Sequence, residues 1–118
     1  MPKRIKNRRR HVRIPMINII RVRSDQDSDF YPCMLVDLSA RGARILSQFR
    51  ITIGDEMELL IPLSPGEEIQ SVKGKIVWTQ EMDLMKEYNF GVEYMGGVEF
   101  DCVNEKIREF IENFVGNK

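Results

Sequence analysis

The sequence predicts an all-β domain that ends in a single α-helix. Turn residues are frequent and the apolar runs between them are short, as is typical of strands rather than helices. The apolar residues change to a helical period only near the C-terminus. With 118 residues, 42% of them hydrophobic, the chain is long enough for one domain with a real core. This pattern leaves two architectures open, a small antiparallel barrel or a sandwich, with the helix covering an opening.

Six apolar runs predict the strands, and turn residues separate them. The break Ser39–Gly42 predicts a tight hairpin connection, and Ser64–Gly66 contains the Pro-Gly pair that favours a turn. Gly96–Gly97 is predicted to end the last strand, while Trp78 and Phe90 are interpreted as core residues. The predicted strands are Met16–Arg23, Tyr31–Leu38, Ala43–Leu46, Glu56–Ile61, Ile69–Trp78 and Phe90–Tyr94.

The tail of the chain predicts an amphipathic helix over residues from about 102 to 115. Asp101 is the predicted N-cap because its carboxylate can accept from free N–H groups of the first turn. Gly116 is the predicted C-terminal stop. The apolar positions lie at i, i+4, i+7, i+8, i+11 and i+12 from Val103; they are Val103, Ile107, Phe110, Ile111, Phe114 and Val115.

Several protein classes are disfavoured by composition. No segment approaches the roughly 20 apolar residues of a membrane span, and no apolar region follows the basic N-terminus as in a signal peptide. The sequence therefore predicts a cytoplasmic protein. Cys33 and Cys102 are too few for a disulfide framework or a structural zinc site, and both are interpreted as buried thiols.

The net charge of zero hides a strong asymmetry between two parts of the chain. Residues 1–13 carry seven Lys and Arg residues and no acid, whereas residues 14–118 carry 11 basic residues against 18 acids. We therefore divide the chain into a basic arm, residues 1–13, and a body, residues 14–118. Such an arm is expected to meet an anion, which leaves nucleic acid, an anionic lipid surface, a small phosphorylated ligand and the acidic body itself as candidates.

Signatures of catalysis are poor. The single histidine, His11, lies among arginines that disfavour its protonation, and no nucleophile is paired with it. The sequence contains no glycine-rich phosphate loop and no residues with the spacing of metal ligands. We therefore expect a protein that is not an enzyme and has no cofactor or metal.

The first motif with chemistry of its own lies in the arm. Arg9 and Arg13 are spaced RxxxR directly before the first predicted strand, and Arg8 stands immediately before them. A guanidinium group offers planar, bidentate hydrogen bonding to a phosphate or to the O6/N7 edge of guanine. The competing interpretation is a frayed, solvated basic tail.

The second motif, Asp37-Leu38-Ser39-Ala40-Arg41-Gly42, lies at the predicted hairpin. Asp, Ser and Gly are common in any turn, so an ordinary connection is one interpretation. Alternatively, Asp37 and Ser39 face one side, where the carboxylate accepts from the N–H groups of a guanine and the hydroxyl adds a polar contact. Gly42 would then let the backbone pass close to a ligand.

In this order and spacing, the two motifs resemble those of the PilZ domain family, bacterial receptors for the second messenger cyclic di-GMP. That family is characterised by RxxxR before the first strand and (D/N)xSxxG after the second. Segments Gly74–Trp78 and Phe90–Tyr94 are also similar to family segments, so the resemblance covers roughly residues 8–115. It implies a six-stranded antiparallel β-barrel followed by a C-terminal helix.

The resemblance also implies roles for individual residues. Arg9 and Arg13 would bind phosphate and guanine, Asp37 and Ser39 would bind a guanine edge, and Gly42 would shape the turn. In similar proteins, an arginine at the position of Arg8 tends to accompany capture of a stacked ligand dimer.

The predicted function is a cyclic di-GMP receptor that acts on an effector protein, with an arm that becomes ordered on ligand binding. Nucleic acid is not expected as a partner because the body is negatively charged and aromatic residues make up only 8% of the chain. A nucleic-acid-binding β-barrel with a basic arm is nevertheless one alternative. A PilZ domain that binds no ligand and serves as an interaction module is the other.

Overall fold

The computed structural model describes residues 12–66, 68–82 and 93–116, which form a closed antiparallel barrel of six strands and one helix. The strands follow one another around the barrel in the order β1-β2-β3-β6-β5-β4. This arrangement confirms the predicted fold and decides for the barrel over the sandwich. The elements are β1 (Ile14–Ser24), β2 (Tyr31–Ser39), β3 (Gly42–Ser47), β4 (Glu56–Pro62), β5 (Ile69–Met82), β6 (Glu93–Phe100) and α1 (Glu105–Gly116).

Alternation along the strands builds the core inside the barrel. In β4, Met57, Leu59 and Ile61 are buried, while the residues between them are partly exposed. The helix packs on the barrel through Ile107 and Ile111, which join the same buried cluster. Within the described residues, no helix is long and apolar enough to cross a membrane.

The last strand differs from its prediction. It runs through Gly96 and Gly97 to Phe100 instead of ending at the two glycines. A Cβ atom on Gly96 would collide with the side chain of Ile51, and one on Gly97 with the indole ring of Trp78. The glycines therefore accommodate close packing within a strand, and the segment 90–92 of the predicted strand lies outside the described residues.

Two residues predicted to be buried are on the surface. Trp78 is 38% exposed, because the register of β5 against β6 shifts between Ile76 and Trp78 and turns the indole outward. Cys102 is exposed in the connection between β6 and α1, whereas Cys33 is buried as predicted. Burial raises the pKa of the Cys33 thiol to about 12. The predicted core residue Phe90 lies outside the described residues.

The helix begins at Glu105, and Asn104 is its N-cap rather than Asp101. The side-chain Oδ1 of Asn104 accepts from the backbone N–H of Ile107 at 2.8 Å. Asp101 instead continues the strand pairing, since its backbone N–H donates to the carbonyl oxygen of Lys73 at 2.8 Å. At the other end, the helix runs to Gly116, the last of the described residues, so the predicted stop at this glycine stays a prediction.

Replacing the N-cap tests this assignment. We expect Asn104→Ala to lower the free energy of unfolding by about 1 kcal/mol, because the Ile107 N–H loses its acceptor. Asp101→Ala should cost clearly less, and Asn113→Ala, on an exposed helical position, serves as the matched control. Urea unfolding measures all three, and a larger loss for Asp101→Ala than for Asn104→Ala would contradict the assignment.

Candidate functional site

The side chain of Asp37 lies between two arginines at the end of β2. Its Oδ1 accepts from Nη1 of Arg13 at 2.6 Å, just before β1. Its Oδ2 accepts from Nε and Nη2 of Arg44 at 2.9 and 2.5 Å, across the β2–β3 pair. Asp37 is only 5% exposed, so these three hydrogen bonds satisfy a carboxylate that would be costly to bury alone.

Among the described residues, neither arginine uses all its donors. Each guanidinium has five N–H donors, of which Arg13 uses one and Arg44 two in the bonds to Asp37. Both side chains are partly exposed, unlike the carboxylate between them. The cluster Arg13–Asp37–Arg44 therefore carries a net positive charge and presents donors on the surface that no described residue uses.

The hairpin that follows Asp37 is held together by the hydroxyl of Ser39. This oxygen accepts from the backbone N–H groups of Arg41 and Gly42 at 3.2 and 3.1 Å, and lies 3.3 Å from the Gly42 carbonyl, to which it donates. Ser39 is buried. Its hydroxyl is thus engaged by the turn, whereas the sequence suggested a contact with a ligand.

Gly42 is required by the barrel wall. A Cβ at this position would collide with the carbonyl oxygen of Val98 in the neighbouring strand β6. The glycine therefore allows β3 and β6 to approach each other beside the cluster. This contact accounts for the glycine without any ligand.

A shallow cleft of about 470 Å³ opens beside the cluster. Arg13, Arg41 and Arg44 contribute positive charge to it, Glu99 contributes one acid, and the indole of Trp78 lies over Gly97. No group of metal-ligating side chains was found among residues 12–66, 68–82 and 93–116. The complete lining is Arg13, Ser39, Arg41, Gly42, Ala43, Arg44, Val77, Trp78, Gly97, Val98 and Glu99.

Three of the predicted site residues, Arg13, Ser39 and Gly42, line this cleft, and the structure adds two others. Asp37 is not part of the lining but is bonded to two of its arginines, whereas Arg8 and Arg9 lie outside the described residues. The prediction missed Arg44 and Trp78. A signal for Arg44 was present in the sequence, because pairing the predicted strand ends 38 and 43 sets position 37 opposite position 44.

Comparison with known proteins assigns the family. Residues 7–116, almost the whole chain, match the model of the PilZ domain family. The chain belongs to the PilZ domain family. Asp37, the carboxylate between two arginines, and Arg13 both lie within the matched residues.

Solved PilZ structures share this fold. The inhibitor of motility MotI/DgrA of Bacillus subtilis superposes with a TM-score of 0.66 at 15% identity, over 95% of this chain and 53% of that protein. MrkH of K. pneumonia, in its complex with c-di-GMP, superposes with a TM-score of 0.64 at 12% identity, over 94% of this chain and 51% of that protein. The chain spans about half the length of each. No relative with a curated description matches at a significant level.

The role of Ser39 in this PilZ domain can be tested without ligand. We expect Ser39→Ala to lower the free energy of unfolding by about 1–3 kcal/mol, because two turn N–H groups lose their acceptor inside the protein. Ser71→Ala is the control, since the Ser71 hydroxyl is exposed and donates to Glu58 on the neighbouring strand. Unchanged stability in urea, combined with weakened ligand binding, would instead assign the hydroxyl to the ligand.

Proposed function

We propose that this PilZ domain is a receptor for cyclic di-GMP. The observation that carries the proposal is the Arg13–Asp37–Arg44 cluster beside a cleft that also contains an exposed tryptophan. Membership of the PilZ family and the fold shared with MrkH, which was solved as a c-di-GMP complex, support it. The proposed role is binding and signal transfer rather than catalysis, with no cofactor besides the ligand.

The chemistry of the cluster suits a guanine and a phosphate together. A carboxylate has about four acceptor positions, and Asp37 uses three of them on the arginines. Pairing with N1–H and N2–H₂ of a guanine needs two positions, so one arginine bond has to be released. Arg13 is the residue we expect to move, because a single hydrogen bond holds it and a ligand phosphate can replace that bond.

Trp78 supplies an apolar surface for a base. Its indole is partly exposed in the same cleft as Arg44, and aromatic side chains stack on nucleobases with a gain of about 1–3 kcal/mol per base. A ligand with two guanines can place one at Asp37 and the other against this ring. The cleft therefore offers contacts for both halves of the ligand.

The basic arm is proposed to complete the site. Arg9 would bind phosphate together with Arg13, and Arg8 would clamp a second, stacked ligand molecule. Arg8→Leu should then shift saturation from two ligands per chain toward one, as measured by calorimetry.

Ordering of the arm over the barrel, residues 14–118, would change one surface of the domain and so signal to an effector protein.

Calorimetric titration tests the proposed function directly. We expect binding of cyclic di-GMP at least about tenfold tighter than that of cyclic di-AMP, because adenine lacks the N1–H and N2–H₂ donors and leaves the Asp37 acceptors unpaired, at a cost of about 1–3 kcal/mol. A single-stranded oligonucleotide is the control ligand. Equal affinity for the two dinucleotides, or tighter binding of the oligonucleotide, would contradict the proposal.

Removing Arg13 separates ligand binding from stability. Arg13→Ala should weaken cyclic di-GMP binding by at least about tenfold, since it removes a charge-assisted phosphate contact worth about 1.5–3 kcal/mol. It should also lower stability slightly, because Asp37 keeps its bonds to Arg44. Arg21→Ala removes an exposed arginine away from the cleft and serves as the control. A large loss of stability with full affinity would make Arg13 a purely structural residue.

A further inference from the structure

A row of apolar side chains crosses the outer surface of four adjacent strands. Ile19 of β1 pairs with Met34 of β2, Met34 pairs with Leu46 of β3, and Leu46 pairs with Met95 of β6. These four residues, the apolar row, are therefore direct cross-strand neighbours. They lie one step along the strands from the cleft, since Leu46 follows Arg44 by two residues.

The apolar row is exposed most strongly at its β1 end. Ile19 is 58% exposed and Ile17, in the irregular part of the β1–β2 pair, is 75% exposed. The other three members are partly buried, and Met34 and Leu46 line a shallow groove of about 190 Å³ together with Ile19 and Glu93. A contiguous apolar surface with a concave part is typical of a protein contact site.

Charges of opposite sign flank the two ends of the row. Arg21 lies two residues beyond Ile19 on β1, and Glu93 lies two residues before Met95 on β6. Because β1 and β6 run in opposite directions, both charges lie on the same side of the row. Neither forms an ion pair with any residue in the described part of the chain.

We propose that the apolar row is the contact surface of a symmetric dimer. A two-fold axis that lies in the interface, parallel to the strands and between β2 and β3, sets Ile19 against the partner subunit's Met95. The same axis sets Arg21 against the partner subunit's Glu93. The pattern is thus complementary to itself in both apolarity and charge, as an isologous interface requires.

The size of the surface limits the strength of the dimer. Four strands at about 4.8 Å spacing give the surface a width of about 14 Å. A surface this narrow buries less area than the roughly 800 Å² per partner of a standard interface. The dimer should therefore form in a concentration-dependent manner. A symmetric dimer requires opposite charges at the two positions that the axis brings together, whereas contact with a different protein does not. This charge pattern therefore selects a second copy of the chain as the partner.

Sedimentation velocity over a dilution series, without ligand, tests the dimer independently of the proposed receptor function. The full chain should approach twice its mass of 13.8 kDa at about 1 mM and fall to the monomer on dilution. Ile19→Ser should abolish the association, whereas Ile69→Ser, at a similarly exposed isoleucine on β5, should leave it intact. A monomer at every concentration, or equal effects of the two substitutions, would overturn the proposal.

Charge reversal gives the sharper test. Arg21→Glu and Glu93→Arg should each raise the dimer dissociation constant by about tenfold, because each turns two symmetric attractions into repulsions. The double variant should return to within about threefold of the wild type, since the exchanged charges still face each other. Thermal unfolding of each variant monitors the fold, and single reversals without effect, or a double variant no better than either single one, would refute the arrangement.

Discussion

The carboxylate of Asp37 is buried in the wall of the barrel, and its three hydrogen bonds from Arg13 and Arg44 offset the cost of that burial. These bonds constrain the pairing of the strands as well as the two arginine side chains. Arg44 can reach the carboxylate only if β2 and β3 pair in the register that sets the two residues opposite each other. That register in turn needs the short Ala40–Arg41 turn, which the Ser39 hydroxyl holds together. The charge cluster and the hairpin therefore stabilise the same arrangement.

The cleft occurs where the regular barrel is interrupted. The register shifts between Leu35 and Asp37 on one side of it and between Ile76 and Trp78 on the other. Such irregularities redirect side chains, and here they place a carboxylate in contact with surface arginines and turn an indole outward. The small residue Gly97 leaves the space in which the indole lies. The features that make this surface suitable for a ligand are thus departures from strand alternation.

The same departures explain which parts of the structure could be predicted. The alternation in Glu56–Ile61 identified β4 almost to its ends, because each residue there faces simply inward or outward. Alternation assigned Trp78 to the core, and this prediction is wrong. A register shift depends on how two strands pair, so the sequence of one strand does not reveal it. The N-cap Asn104 was missed because the pairing of Asp101 with Lys73 delays the helix start. The barrel itself followed from the resemblance to the PilZ family, as the strand pattern alone also allowed a sandwich.

Electrostatics supports a role for the basic arm in the proposed receptor. Cyclic di-GMP carries two phosphates, whereas the cleft combines three arginines with Asp37 and Glu99 and is only singly positive. The body, residues 14–118, has a net charge of −7 and repels a dianion at longer range. The arm holds six further cations besides Arg13, enough to exceed the ligand charge. Since the cleft alone cannot neutralise cyclic di-GMP, the proposed binding would favour states in which the arm stays close to the barrel. This coupling would let a small ligand alter a surface that an effector protein can recognise.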